Sequence, residues 1–459
     1  MPPREPFHIL VGGAFDTRAI GNAQIFFAWK GRCSDGHHYI DQLNGTSIRL
    51  AVIEREVPTI GELALLKVSD SLQALQNLAS KLAAEFKGKI ISITGSCGKT
   101  TAKTWLEHLL SARFRVLCSE KSFNNSIGCP TTVMHLRAEH DVIVLEMGTS
   151  GTGELEMLSG LFPADISVLL NVGHAHLGKF GSREAIYRGK TEIFSHHRKD
   201  ATFLIPFQDT RIREFMPSMS YSFFGKGSPQ FSWKLDAVDA KRHRQSFTFQ
   251  TPEGARTAWV NQLGNHVGET LSALMAICHQ LGMDWEDIAS RLETLPQEKG
   301  RSIVSFGIHH VTILDDTYNA NPESVVNMLH TLCSLKARRY VGVIGNLAEL
   351  EADLSESANV VVENIPSRLT HLILTGETGK ILSKLIEKRY SALETIYLES
   401  LVDVIDRARR YCDDSTAIGV KGSRSAHMER VVHALFGKKV SCDLAVCGLL
   451  QMCSGCEKL

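Results

Sequence analysis

The chain has 459 residues, 43% of them hydrophobic and 22% charged, the composition of a globular protein too long for a single core. Lys plus Arg and Asp plus Glu stand at 50 each, so no net field recruits polyanions, and nucleic acid is a poor candidate partner. No apolar run reaches bilayer-spanning length, Met1-Pro2-Pro3-Arg4 begins no secretory segment, and the eleven cysteines point to reduced thiols in a cytoplasmic protein.

The first segment, 1–85, carries apolar runs at Ile25-Phe26-Phe27-Ala28 and Leu50-Ala51-Val52-Ile53. It closes on a helical stripe, Leu72, Leu75, Leu78, Leu82 and Phe86, read as core packing. The second segment, 86–298, alternates strands and helices. Strands are expected at Ile90–Thr94, Arg115–Cys118, Val142–Glu146 and Ile166–Asn171, in a parallel sheet covered on both faces. Within it, 201–260 reads as a small antiparallel insertion, with short alternating runs such as Tyr221-Ser222-Phe223-Phe224 and Ser246-Phe247-Thr248-Phe249. A helix pair follows over about 266–294. The third segment, 299–459, again alternates, with strands at Val311–Leu314, Tyr340–Ile344, His371–Leu374 and Ala417–Val420, a second doubly wound α/β unit.

The strand Ile90–Thr94 runs into Gly95-Ser96-Cys97-Gly98-Lys99-Thr100-Thr101, and a helical pattern follows. Strand, glycine turn and helix N-terminus make an anion site, where backbone N–H groups and the helix dipole favour phosphate. Lys99 can reach the β/γ-phosphates and the Thr100 hydroxyl can hold Mg²⁺. Only two residues separate the glycines, against four in the common P-loop. The alternative is an ordinary glycine-rich turn with an exposed lysine, but the strand-to-helix setting favours a nucleoside triphosphate.

Glu146 ends its strand where α/β sheets bind ligands, placed to hold the nucleotide's Mg²⁺ or merely to cap a helix. His174 and His176 follow the next strand, and Lys190 lies beyond. The histidines are metal ligands or simply exposed, and Lys190 alone reads as a solvated helix lysine. Asp316, Tyr318, Asn319 and Asn321 close the strand ending at Leu314 and could bind a ribose or an amine, or build an Asx-turn. Lys421, Ser423 and Arg424 end another strand with two cations and a hydroxyl, suited to a carboxylate or phosphate, or to a solvated basic turn. Asp16, Thr17, Arg18, Lys30 and Asp35 to His37 lie in turn-rich stretches and are weak signals alone. The tail carries Cys442, Cys447, Cys453 and Cys456; its CxxC pair could help bind zinc, but a free, partly exposed tail is expected.

Taken together, Gly95–Thr101, Phe123-Asn124-Asn125-Ser126-Ile127-Gly128, Glu146-Met147-Gly148, His176-Leu177, Lys190 before Glu192-Ile193-Phe194, Asp316 to Asn321 and Lys421 to Ser425 resemble the Mur ligase family over nearly the whole chain. Phe-Asn-Asn, Tyr-Asn-Ala-Asn and Lys-Gly-Ser-Arg favour the branch that adds D-alanyl-D-alanine. Asp-Asn-Pro-Arg, the amino-acid-reading motif of the diaminopimelate-adding branch, is absent. The resemblance implies three domains: a UDP-sugar domain at 1–85, shortened at its start, a central ATPase at 86–298 and a C-terminal Rossmann-like domain at 299–459. It implies a monomeric ligase using ATP and two Mg²⁺ to join D-Ala-D-Ala to UDP-MurNAc-tripeptide through an acyl phosphate.

By the same resemblance His176 is a metal ligand with Thr100 and Glu146. Lys190 is the carbamylated lysine, whose CO₂ adduct turns a cation into an anion beside the metal. Asn265, His266, Arg301, Asp316 and Asn319 contact the nucleotide. Asp16, Thr17, Arg18, Lys30, Asn124, Asn125, Tyr318, Asn321, Lys421, Ser423 and Arg424 contact substrates. The chain departs from the family pattern at Val267 and Thr270, where asparagines are usual, at Asn346, where aspartate is usual, and at Cys97. The competing readings are another ligase of the same fold, a different Mur ligase or folylpolyglutamate synthetase, and a nucleotide-binding scaffold without catalysis.

Overall fold

The computed structural model describes residues 10–31, 34–58, 61–120, 122–174, 177–216, 220–239, 242–347, 354–442, 453 and 456. The two N-terminal apolar runs form neighbouring strands of a four-stranded parallel sheet, Gly13–Ala14, Ile25–Phe27, Leu50–Ile53 and Ala64–Lys67, in chain order. The helix Ser71–Glu85 packs against it, its first turn capped by Asp70, whose side chain accepts from the Gln73 amide. Its buried seam is Leu75, Ala79 and Ala83, while Leu78 is 39% exposed. The expected stripe is therefore rotated: two alanines one turn apart let the helix approach its neighbours closely, and the seam follows them rather than Leu78.

The central sheet is parallel throughout, in the order Ser222–Phe224, His197–Pro206, Ala164–Leu169, Lys89–Thr94, Val142–Glu146, Val116–Cys118. The antiparallel insertion is smaller than expected. Residues 201–206 and 222–224 belong to the parallel sheet, because the 3₁₀ turn Thr210–Phe215 carries the chain back across the sheet instead of folding it into a hairpin. Only Ser232–Asp239, Arg244–Thr251 and Gly254–Val260 form the antiparallel lobe. Its inward aromatics Trp233, Phe247 and Phe249 share one core with the helices Lys99–Leu110 and Asn265–Gln280.

The C-terminal sheet runs Ile303–Phe306, Thr312–Asp316, Thr416–Lys421, Arg339–Ile344, His371–Leu374, Glu394–Tyr397. All its neighbours are parallel except the first strand, an antiparallel edge. Separate apolar clusters cover its two faces, the doubly wound arrangement read from the alternation. Among the described residues no helix is long and apolar enough to cross a membrane, and all nine cysteines are free.

Candidate active site between two sheets

In an open α/β sheet, ligands bind beyond the carboxyl ends of the strands. Here the carboxyl ends of the central and C-terminal sheets line a shared cavity of about 1090 Å³. Its walls carry Ser96 to Thr101 and Glu146 on one side, and Asp316 to Asn321, Lys421 and Arg424 on the other.

The glycine loop joins the strand Lys89–Thr94 to the helix Lys99–Leu110, and Gly98 turns it at φ +78°, a left-handed conformation that favours glycine. Asn171 holds the loop open. Its Oδ1 accepts the Ser96 and Cys97 amides at 3.1 and 3.0 Å, and its Nδ2 donates to the Cys97 carbonyl at 3.1 Å. The Gly173 amide donates to Ser96 Oγ at 2.8 Å. Lys99 Nζ rests on the Gly95 carbonyl at 2.8 Å. Burial pushes the Cys97 thiol up to about 11, so it stays protonated and lies 3.4 Å from Asn171 Oδ1. Sequence reasoning stopped at the loop and missed Asn171; its position just past the strand Ala164–Leu169 was the available signal.

Glu146 ends the strand beside the loop strand, paired with Ile93, and is 1% exposed. Asn124 Nδ2 donates to its Oε1 at 2.7 Å, while its Oε2 is buried with no partner among the described residues. A carboxylate oxygen left dry is costly unless something cationic answers it. Asn125 faces its own segment instead, its Oδ1 accepting the Ile127 and Gly128 amides at the turn into the helix Gly128–Val133.

Lys190 sits on the helix Arg183–Thr191 and is 1% exposed, not the solvated lysine that its position alone suggested. His176 lies outside the described residues. His174 is tied across the cavity: its amide and Nδ1 meet Glu323 Oε1 at 2.8 and 2.5 Å, and Arg183 donates to its Nε2 at 2.6 Å. Burial works against the Glu323 charge and is the largest single effect, but the His174 bonds and charge together with the helix-turn amide of Glu323 outweigh it and hold the carboxyl below its usual range. Glu323, on the first turn of the helix Pro322–Ser334, is a second residue that sequence reasoning missed; an acidic N-terminal turn was its only mark.

On the facing wall Lys421 is 3% exposed and committed: its Nζ meets Asp316 Oδ2 at 2.5 Å and the Asn319 carbonyl at 2.9 Å. It therefore fixes the Asp316–Asn319 turn rather than standing ready for a ligand. Asn321 caps the helix Pro322–Ser334, accepting the Ser324 amide at 2.9 Å in a capping box, so the helix-building alternative describes its side chain. Ser423 is 1% exposed, its amide bound to the Asn346 carbonyl at 2.7 Å and its hydroxyl facing Ser425, away from the cavity wall. Arg424 does line the cavity and pairs with Glu429.

The Arg301 guanidinium lies 4.1 Å from the Tyr318 ring centre, and its Nε meets Glu298 at 2.7 Å. Glu298 in turn accepts from Thr104 of the loop helix at 2.6 Å, and the Tyr318 hydroxyl meets Ser122 at 3.1 Å. Gly300, at φ +73°, lets this junction close, since a Cβ there would lie 2.9 Å from the Tyr318 nitrogen. Asn265 is exposed and His266 partly buried at the start of the helix Asn265–Gln280, both on the cavity. Burial lowers the His266 pKa, and its Nδ1 has no partner among the described residues.

The N-terminal candidates lie apart from these walls. Asp16 and Arg18 pair with each other at 2.7 Å, Thr17 donates to Gln42 at 3.2 Å, and Lys30 pairs backbone to backbone with Asp35, whose side chain meets His37 and Arg55. Between them and the cavity, Phe15 stacks on Trp29 at 5.7 Å and meets Phe123 at 5.9 Å, beside Asn124 and Asn125.

The Mur ligase middle domain model matches residues 93–278, and the model described as Mur ligase, glutamate ligase domain, matches 300–424. The chain belongs to the Mur ligase family. The UDP-N-acetylmuramoyl-tripeptide–D-alanyl-D-alanine ligase of Treponema pallidum is 30% identical over 92% of each chain. The crystal structure of MurF from Acinetobacter baumannii superposes with a TM-score of 0.81 at 28% identity over 93% of each chain. The MurF ligase of Thermotoga maritima, solved in complex with ADP, gives 0.80 at 25% identity over 93% of this chain and 97% of its own. The two family models leave residues 279–299 between them, and Glu298 near the end of that stretch both accepts from Thr104 of the loop helix and pairs with Arg301.

Proposed function

We propose that this chain is the cytoplasmic, ATP-dependent ligase that joins D-alanyl-D-alanine to UDP-MurNAc-tripeptide in peptidoglycan precursor synthesis. Its units divide near 85 and 298 into a UDP-sugar domain, an ATPase domain and an amine-binding domain. A carboxylate is a poor electrophile, so the tripeptide carboxyl oxygen first attacks the γ-phosphorus of ATP, and the bond to ADP breaks. The dipeptide nitrogen then attacks the acyl carbon, its C–O bond to phosphate breaks, phosphate leaves with the electron pair, and the amine proton goes to solvent.

The loop amides and Lys99 hold the β- and γ-phosphates and answer the charge that builds on the transferring oxygens. Arg301 and Asp316 reach the nucleotide, and Asn124 holds Glu146. Arg424 meets the dipeptide carboxylate, while Lys421 fixes the turn that receives the amine. Mg²⁺ suits the donors present, the Thr100 hydroxyl and the Glu146 carboxylate with its unpartnered oxygen, and when bound it supplies Lewis-acid screening of phosphoryl charge. Lys190 as its CO₂ adduct, with His176, would complete an anionic second metal position.

The observation that carries this reading is the Glu146 oxygen, buried without a partner beside the loop that offers phosphate-binding amides. The test is phosphate release with UDP-MurNAc-tripeptide, with and without D-Ala-D-Ala, then competition among D-Ala-D-Ala, L-Ala-L-Ala, D-Ala and L-Glu at equal concentration. A site that pairs both ends of the dipeptide should leave single D-alanine a far poorer substrate. Preference for a free amino acid would move the chain to another branch of the family.

A further inference from the structure

The C-terminal cysteines were expected on a free tail, yet Cys453 is 7% exposed and docks behind the cavity wall. Its amide donates to Glu429 Oε1 at 3.0 Å and its Sγ lies 3.3 Å from His427 Nδ1. Burial, followed by the Glu429 charge, pushes the thiol up to about 12, so it keeps its S–H; His427 Nδ1, which faces a donor-only Arg424 nitrogen at 3.0 Å and lies 3.2 Å from Glu429 Oε1, is the acceptor. Glu429 and His427 are 2% and 1% exposed. Each keeps one polar atom, Oε2 and Nε2, with no partner among the described residues.

Both grip Arg424, whose terminal nitrogen contacts the Glu429 carboxylate and lies 3.0 Å from His427 Nδ1. The other terminal nitrogen of Arg424 and its Nε have no partner among the described residues, and the residue lines the cavity. Although His427, Glu429 and Cys453 bring three ligand-type atoms within 4.8 Å of one another, the guanidinium already holds two of them, and a metal ion would have to displace that cation.

We propose that Cys453, acting through Glu429 and His427, is a positioning residue for Arg424 and so sets how tightly the carboxylate end of the amine substrate is held. This rests on the reading of Arg424 as the carboxylate contact. The three atoms form a rigid backing: Glu429 supplies the countercharge, His427 an acceptor, and Cys453 the donors that keep both in place. A guanidinium fixed before binding loses less rotamer freedom when the carboxylate arrives.

The experiment uses the full chain with Cys453→Ala, Cys453→Ser and Glu429→Gln, reading kcat, melting temperature and KM for ATP, D-Ala-D-Ala and the dipeptide C-terminal amide. Cys453→Ala should raise the dipeptide KM about fivefold, the scale of one neutral hydrogen bond, with kcat and the ATP KM unchanged. The serine variant, which keeps a donor, should restore it. Glu429→Gln should raise the dipeptide KM by about thirtyfold, as fits loss of a charged partner. The amide, which offers no carboxylate, should be insensitive to Cys453→Ala. An unchanged dipeptide KM in both Cys453→Ala and Glu429→Gln, even with a lower melting temperature, would make the cluster structural and overturn the proposal. So would stoichiometric zinc on the purified protein that Cys453→Ala releases. If the wild type releases no phosphate in response to the dipeptide, the functional reading itself falls, and with it the role given to Arg424.

Discussion

Asn171→Ala should weaken nucleotide binding without touching any residue of the glycine loop. The side chain makes three bonds to the loop backbone, two amides to Oδ1 and one carbonyl from Nδ2. Each is worth about 1 kcal/mol net; the Ser96 amide keeps the Asn171 backbone carbonyl at 3.1 Å and the Cys97 amide can partly rehydrate from the open cavity, so the ordered loop loses about 2 kcal/mol. If that cost falls on ATP, which must reorder the loop to bind, its KM rises roughly 30-fold. The assay is steady-state phosphate release at saturating second substrates, paired with ADP titration by calorimetry. Asn171→Asp is the informative partner: it keeps the acceptor, loses the donor and puts a negative charge near the phosphates, so it should bind ATP worse than the alanine variant. An alanine variant with ATP KM within twofold of wild type would refute the bracing argument.

Lys99→Ala should lower turnover by roughly 10²–10³-fold, the scale for one positioned charge-stabilising group. Its melting temperature should barely move, since Lys99 gives up only its bond to the Gly95 carbonyl; wild-type turnover would remove the lysine from the phosphate site. Lys190→Ala should lose most activity and regain some with short carboxylic acids such as acetate, and a CO₂-stripped wild type should recover with bicarbonate. Activity indifferent to all three would exclude the carbamate. Glu323 has its carboxyl held below the ordinary 4.5, so its stabilising contribution is complete above that value and is lost as pH falls through the lower folded value. The melting-temperature difference between wild type and Glu323→Gln should therefore be constant above pH 4.5 and shrink in acid, and a difference that grows in acid would contradict the His174 pairing.

The parts of the site that were legible in the sequence are local in the chain. A β-branched run, two glycines, a lysine and a helical pattern are adjacent, and their physics follows from the backbone alone. Glu146, at the end of an apolar strand, was placed by the same logic. What stayed hidden is long-range. Asn171 braces amides 75 residues away, and Glu323 reaches a histidine 149 residues back. Neither has a local pattern that separates it from any other strand-end amide or first-turn acid. Direction was hidden too: Tyr221-Ser222-Phe223-Phe224 alternates as either kind of strand does, and only the crossover through 210–215 makes it parallel. Leu78 shows the limit of periodicity, since two seams a residue apart fit the same leucines and the small side chains of Ala79 and Ala83 decide between them.

The departures from the family pattern sort themselves by position. Val267 is 1% exposed and packs in the core with Trp233 and Leu271, so it touches no ligand, and an apolar residue there costs the cavity nothing. Thr270 is on the cavity, its hydroxyl 4.0 Å from where a Cβ on Gly98 would stand, and it keeps a polar atom beside the loop. Cys97, held as a thiol, retains an S–H beside Asn171 Oδ1, as a serine hydroxyl there would. Asn346 is the most instructive. Its Oδ1 accepts the Thr378 amide at 3.2 Å in the first turn of the helix Gly376–Arg389, and its carbonyl accepts Ser423 at 2.7 Å. A carboxylate would make the same bond, so the amide forfeits only the charge–dipole part, about 0.3–1 kcal/mol near a surface. Position 346 thus links a helix N-terminus to the turn that carries Arg424, a task that needs an oxygen but no charge. Val267 and Asn346 stand off the cavity, Cys97 keeps in the glycine loop the polar atom that a serine would offer, and Thr270 stands on the cavity wall, where a short hydroxyl replaces a longer amide beside that loop.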